Sequence, residues 1–149
     1  MAVNSIVVMW ATAISTHTEN GRKIIWRFAE ALAPAFDRTS QPIRINIVWK
    51  YRSETGVPVT EERERMDVLE DKLKPLVEQD RFPTLVLVST GENIREWTYY
   101  AESEHGFAAR FDYAITDMPE LPIEVHCTYD PTWDMYGKFR AGVNETVID

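Results

Sequence analysis

Cysteine is almost absent from this chain. Cys127 is the only one in 149 residues, which rules out an internal disulfide and fits a reducing, cytoplasmic setting. Histidine is scarce too. His17, His105 and His126 lie far apart, no second ligand falls at metal-binding spacing, and neither H-E-x-x-H nor C-x-x-C occurs. No metal site is expected. Gly91, Gly106, Gly137 and Gly142 stand alone, so no Gly-rich loop is present to cradle a phosphate, and no cofactor is expected. No apolar run approaches the roughly 20 residues of a membrane span. Ile6 to Trp10 followed by Ala11-Thr12-Ala13 imitates a signal peptide, but the run is short and no Lys or Arg precedes it. Positive charge is also in short supply. Sixteen Lys and Arg face 24 Asp and Glu, a net charge of -8, and this balance argues against a nucleic-acid backbone as partner while allowing a basic protein.

What remains is a soluble globular composition, 44% apolar and 27% charged, that is long enough for one domain spanning 1–149. At this size folding hides about 68–70% of the surface of the unfolded chain, so a core can form without staples. Aromatics are the surplus. Five Trp, six Tyr and six Phe suit either a broad sheet that must be covered or a docking surface.

Hydrophobic periodicity orders the chain. SIVVMWATAI (5–14) predicts a first strand, the turn cluster HTENG follows, and KIIWRF (23–28) pairs back as a hairpin. AEALAPAF predicts a helical turn or short helix that Pro34 keeps short. In PIRINIVWKY, Ile43, Ile45, Ile47, Trp49 and Tyr51 share one face of a half-buried strand. Thr60 is a candidate N-cap, and Met66, Leu69, Leu73, Leu76 and Val77 form one stripe of a helix over 60–79. Pro75 should kink or end its last turn. TLVLVST (84–90) is apolar on both faces, hence an interior strand, and GEN joins it to IREWTYYA (94–101) as a hairpin. Phe107, Phe111, Ala114 and Ile115 mark a second helix ended by Pro119, and Ile123 to Tyr129 alternate as a last strand. From residue 43 to 129 the order is βαββαβ, the split arrangement of an α+β, ferredoxin-like domain. An N-terminal hairpin precedes it and a short C-terminal helical turn follows it.

No residue set points to catalysis. His126 and Cys127 are adjacent in a strand, so they face opposite ways and cannot act as base and nucleophile; Cys127 reads as a small buried hydrophobe. Glu102 and Glu104 lie near a helix start, where the helix dipole alone accounts for acids. Binding candidates are better supplied. In the helix 60–79 the acids, among them Glu64, Asp67 and Asp71, outnumber the bases; this is a solvated face with Glu61–Arg65 and Glu70–Lys74 pairs or a landing strip for a basic partner. Arg95, Trp97 and Tyr99 share one face of a strand, opposite Glu96, Thr98 and Tyr100, and could fill the core or form a platform. In DPTWDMYGKF (130–139), Asp130 suits an N-cap, Pro131 a first helical position and Gly137 a stop. Trp133 and Tyr136 then fall on one face, placed to close over an edge of the core or to anchor a partner.

Taken in order, the strand ending in WKY, GVPVTEE before a helix containing LEDKL, the hairpin TGENIREWTYY and the closing PIEVHCTYDPTWDMYGKF resemble a bacterial family, the domain of unknown function 695. The resemblance runs over about residues 20 to 139. It implies a ferredoxin-like fold and a distant similarity to the protein inhibitor of ribonuclease E called regulator of ribonuclease E activity B. It brings no catalytic residues.

Two functions follow as expectations. The first is a non-enzymatic, acidic protein-binding module that regulates or neutralises its partner, in the manner of an RNase regulator or a toxin immunity protein. The second is a small-molecule sensor or enzyme with a pocket between the sheet and the N-terminal hairpin, where Arg95 or Arg110 meets an anion. Monomer and homodimer are both open, since the edge strands of such sheets can pair.

Overall fold

Six apolar segments, some alternating and one apolar on both faces, commit the chain to one wide sheet. In the computed structural model, which describes residues 6–16, 19–78 and 83–148, the strands are β1 (Val7–Thr16), β2 (Lys23–Leu32), β3 (Ile43–Lys50), β4 (Pro83–Gly91), β5 (Ile94–Ala101) and β6 (Ile123–Tyr129). The helices are α1 (Thr60–Glu78), α2 (Glu104–Ala114) and α3 (Asp134–Ile148). His17 and the residues from 79 to 82 lie outside the described residues. The spatial order is β1-β2-β4-β5-β3-β6 with every neighbour antiparallel. Its last four strands reproduce the expected βαββαβ arrangement, and β2 adds the N-terminal hairpin to the free edge of β4.

Each face carries its own core. On the first, Ile45, Ile47, Trp49, Trp97 and Tyr99 are covered by Met66, Leu69 and Leu73 of α1 and by Phe107 and Phe111 of α2. The buried indoles need acceptors. Trp49 Nε1 donates to Glu62 Oε2 at 2.8 Å and Trp97 Nε1 to Glu70 Oε1 at 2.8 Å, so two carboxylates of the acidic helix serve the core. On the second face Phe28, Val86, Leu87 and Tyr100 lie under Trp133 and Tyr136, with Trp26 and Phe139 packed beside them. A bulge lets β4 serve both cores. Leu85 pairs with Tyr99 and Leu87 with Thr98, so the extra residue Val86 turns the same way as Leu87.

Several expectations need correction. AEAL does not form a helical turn. β2 runs on to Leu32, paired with β1 through Leu32–Val7, Ala31–Met9 and Ala29–Trp10, and Ala29 is fully buried; ladder bonds and burial outweigh the helix preference of Ala and Glu. The C-terminal turn is likewise longer than expected. α3 starts at Asp134, not at Pro131, and passes through Gly137 and Gly142. Each Gly costs about 1 kcal/mol relative to Ala, which the docking of Tyr136, Phe139 and Val143 at helical spacing offsets. Pro75 lies inside α1, which continues to Glu78. The expected pairs on α1 are also re-partnered, Arg65 to Glu62 and Glu70 to Arg27. Among the described residues no helix is long and apolar enough to cross a membrane.

The β4–β5 turn holds Glu92 and Asn93 at φ 52° and 66°, the left-handed pair of a type I′ turn. Asn tolerates this conformation; Glu does not, and Glu92 Oε1 is buried without a hydrogen-bond partner. Glu92→Asn should therefore raise stability by about 1 kcal/mol, seen as a higher midpoint in urea unfolding; an unchanged or lower midpoint would contradict the strain argument.

Candidate functional site

The sheet is six strands wide but α1 and α2 cover only its ferredoxin-like part, so β1 and β2 project beyond α1 as a flange. A groove results between helix and flange. Its helix wall is the stripe Arg63, Asp67, Glu70, Lys74 and Val77, spaced 4, 3, 4 and 3 along α1. Its floor is the first face of the hairpin, where Thr12 pairs with Arg27. Two cavities lie along it and meet at Arg27. The smaller, about 170 Å³, is bounded by Ile6, Val7, Trp10, Val77, Leu85 and Tyr99 together with Glu70 and Lys74. The larger, about 290 Å³, is bounded by Thr12, Ile25, Val57, Pro58, Val88 and Thr90 and by three arginines, Arg27, Arg63 and Arg95.

The arginines are held differently. Arg27 Nη2 donates to Glu70 Oε1 at 2.6 Å, the oxygen that also accepts from Trp97, and its guanidinium lies 5.7 Å from the centre of the Trp10 ring. Arg95 Nε donates to Thr90 Oγ1 at 3.0 Å and its Nη1 to Asp67 Oδ1 at 3.4 Å, with the Trp97 ring 5.7 Å away. Stacking and hydrogen bonds thus fix both planes. Arg63 stands exposed on the helix wall and makes no side-chain ion pair among the described residues.

The sequence candidates separate into three groups. Arg95 lines the larger cavity, while Trp97 and Tyr99, from the same strand face, are 0% and 1% exposed and belong to the core. Both fill the first core, and Tyr99 also borders the smaller cavity. Arg110 is on α2 and outside both cavity linings. Glu64, Asp67 and Asp71 are all exposed on α1; Asp67 turns towards the groove and Arg95, as no reading of net charge could show. Arg27 and Arg63, which the sequence reading did not single out, complete the cavity. Their signal was present in the alternation of Ile25 and Arg27 and in the four-residue step from Arg63 to Asp67.

Asp130, Trp133 and Tyr136 form the third group, a clasp at the other face. Trp133 is fully buried, stacks on Tyr100 with ring centres 4.2 Å apart and planes 9° from parallel, and donates from Nε1 to the Gln41 carbonyl at 2.9 Å. Its φ of 57° is a strained conformation for a Trp. Tyr136 donates its hydroxyl to the Ala29 carbonyl of β2. Asp130 caps α3, accepting from the amides of Asp134 at 2.8 Å and Met135 at 3.3 Å. It also accepts from the Tyr100 hydroxyl at 2.7 Å and from Arg44 Nη1 at 3.2 Å. Burial raises the pKa of this carboxyl, but the Tyr100 hydroxyl, the two amides and Arg44 together outweigh it and hold the group below its ordinary 3.8.

Cys127 and His126 stand apart from these sites. Cys127 packs against the first core, and burial followed by the Glu104 carboxylate pushes its thiol pKa up, away from the reactive thiolate. His126 is exposed on the opposite face, 3.3 Å from Glu124. Among the described residues no group of three or more His, Cys, Asp or Glu is placed to hold a metal ion.

A family model described as DUF695, a family of unknown function, matches residues 9–140. The chain belongs to this family. No curated protein matches the chain. The DUF695 match takes in nearly all of β1, the whole of β2 and the first turns of α3. The flange and the clasp are therefore parts of the DUF695 unit and not attachments to a ferredoxin-like core.

Two outcomes test the clasp of this DUF695 chain. Trp133→Ala should cost about 3–5 kcal/mol, a fall in Tm on the order of 10 °C for a chain of this size; calorimetry showing a shift under about 2 °C would remove Trp133 from the core. For Asp130 the sign follows from its lowered pKa. The ionised form is favoured by folding, so its stabilisation is present above the ordinary value of 3.8 and is lost as pH falls below it through the folded pKa. The stability gap between the native chain and Asp130→Asn, about 2 kcal/mol near neutrality, should narrow as pH falls below 3.8. A gap that stays constant in urea titrations at pH 7, 5 and 3 would show that the charge contributes nothing.

Proposed function

We propose that this chain is a non-enzymatic protein-binding module and that the groove between α1 and the β1–β2 flange is its docking face. One observation carries the reading. Of the eleven large apolar side chains exposed among the described residues, five (Val8, Met9, Trp10, Ile14 and Ile25) are on these two strands, and of these Trp10 and Ile25 line the groove. Soluble domains concentrate apolar surface in this way mainly where a partner covers it. A regulatory or inhibitory role, of the RNase-regulator or toxin-immunity kind, is the form of binding that the resemblance to regulator of ribonuclease E activity B supports, by analogy of fold family.

A small-molecule sensor is the second reading, and the cavity at Arg95 favours it. The size of the groove cavities favours the first reading. The two groove cavities, about 170 and 290 Å³, lie below the roughly 300–1,000 Å³ that surrounds a drug-sized ligand and open along the same groove; wider recesses of about 460 and 550 Å³ lie beside α3. An extended segment laid across them is better accommodated than an enclosed molecule.

Site-specific photo-crosslinking distinguishes these readings. With benzoylphenylalanine placed at Ile25 in the groove, irradiation of expressing cells should give discrete protein adducts; with the same group at Tyr113, 84% exposed on α2, it should not. Adducts from both positions alike, or from neither, would count against docking at the groove.

A further inference from the structure

The groove's larger cavity has a charge opposite to that of the chain. Arg27, Arg63 and Arg95 line it together with the hydroxyls of Thr12 and Thr90, and no carboxylate is among its lining residues, although the net charge of the chain is -8. We infer that the groove receives an extended partner segment bearing an acidic side chain, whose carboxylate enters between the three arginines while an apolar neighbour fills the smaller cavity at Trp10 and Val77. This rests on the groove being the docking face.

Three physical points favour that occupant. A guanidinium has five donors, and Glu70 and Asp67 take only one edge of Arg27 and Arg95, so both keep donors for a second carboxylate. Their planes are already fixed by the rings of Trp10 and Trp97, which reduces the ordering lost on binding. Arg63, exposed and without an ion pair among the described residues, supplies the third fork. The surrounding acidic surface adds selection. An acid-bearing segment meets net negative charge over the molecule as a whole and three guanidiniums in this cavity, so charge sets its register. A basic segment, suggested by net charge alone, would meet the arginines.

The test is selection of random eight-residue peptides displayed on phage against the whole protein, followed by affinity measurement on synthetic copies of the recovered sequences. Recovered peptides should hold an Asp or Glu within a few residues of Leu, Ile, Val or Phe and should compete with the Ile25 crosslink. Changing that acid to its amide should weaken binding at least about tenfold. Arg63→Gln, which alters an exposed side chain without a fold role, should weaken it to a similar degree, and both changes together should be little worse than either. Arg63→Lys should retain part of the affinity. Peptides that compete at Ile25 but bind equally well with the amide would overturn the acidic specificity and leave the docking face standing. Peptides that bind without competing at Ile25, or failure to recover any that compete there, would overturn both.

Discussion

A carboxylate removed from water is costly unless hydrogen bonds and opposite charge replace its hydration, and Asp130 is a buried acid that four groups from three elements satisfy. The Tyr100 hydroxyl comes from β5, Arg44 from β3, and two amides from the start of α3. The amide of Asp130 itself donates to the Pro42 carbonyl at 2.7 Å, tying the end of β6 to the start of β3. The direction in which α3 leaves the sheet is therefore set at one residue. Trp133 is then driven flat on Tyr100, and the energy of that burial keeps its backbone in a conformation a Trp seldom adopts. Without this junction the second face of β2 and β4 would have no cover.

Three of the acids on α1 are tied to the core and the sheet. Glu62 and Glu70 accept from two buried indoles, and Glu70 and Asp67 also align arginines of the sheet. Internal satisfaction explains these acids. The same bonds create the groove's character, since aligned guanidiniums beside a helix wall form a positive recess in a negative molecule. Core hydrogen bonding and the alignment of the groove arginines thus share side chains, and Glu70 belongs to both.

Strand periodicity made the central part of the fold legible. The face shared by Ile43 to Tyr51, the helix stripe from Met66 to Val77 and the order βαββαβ are all present as read. The failures share a physical origin. Ala29 to Leu32 carry helix-forming residues but lie next to β1, a long-range partner that local preference does not register. Gly137 looks like a stop only if the apolar stripe beyond it, Phe139 and Val143, is left uncounted. For the site, Arg95 was legible from alternation and the clasp from its capping residues. The cavity was not, because Arg27, Arg63 and Arg95 come from three elements whose adjacency is set by the sheet order.

The flange also places a demand on the timing of folding. Trp26, Phe28 and Ala29 are made early, yet the side chains that cover them, Tyr136 and Phe139, come last, and the bond from Tyr136 to Ala29 closes a separation of 107 residues. Contacts of such sequence range form late and slow the search for the native state. As the chain leaves the ribosome, the first hairpin must stay in solution with its inner face uncovered until the last helix is synthesised, which is the interval in which a nascent sheet edge is most exposed to mispairing.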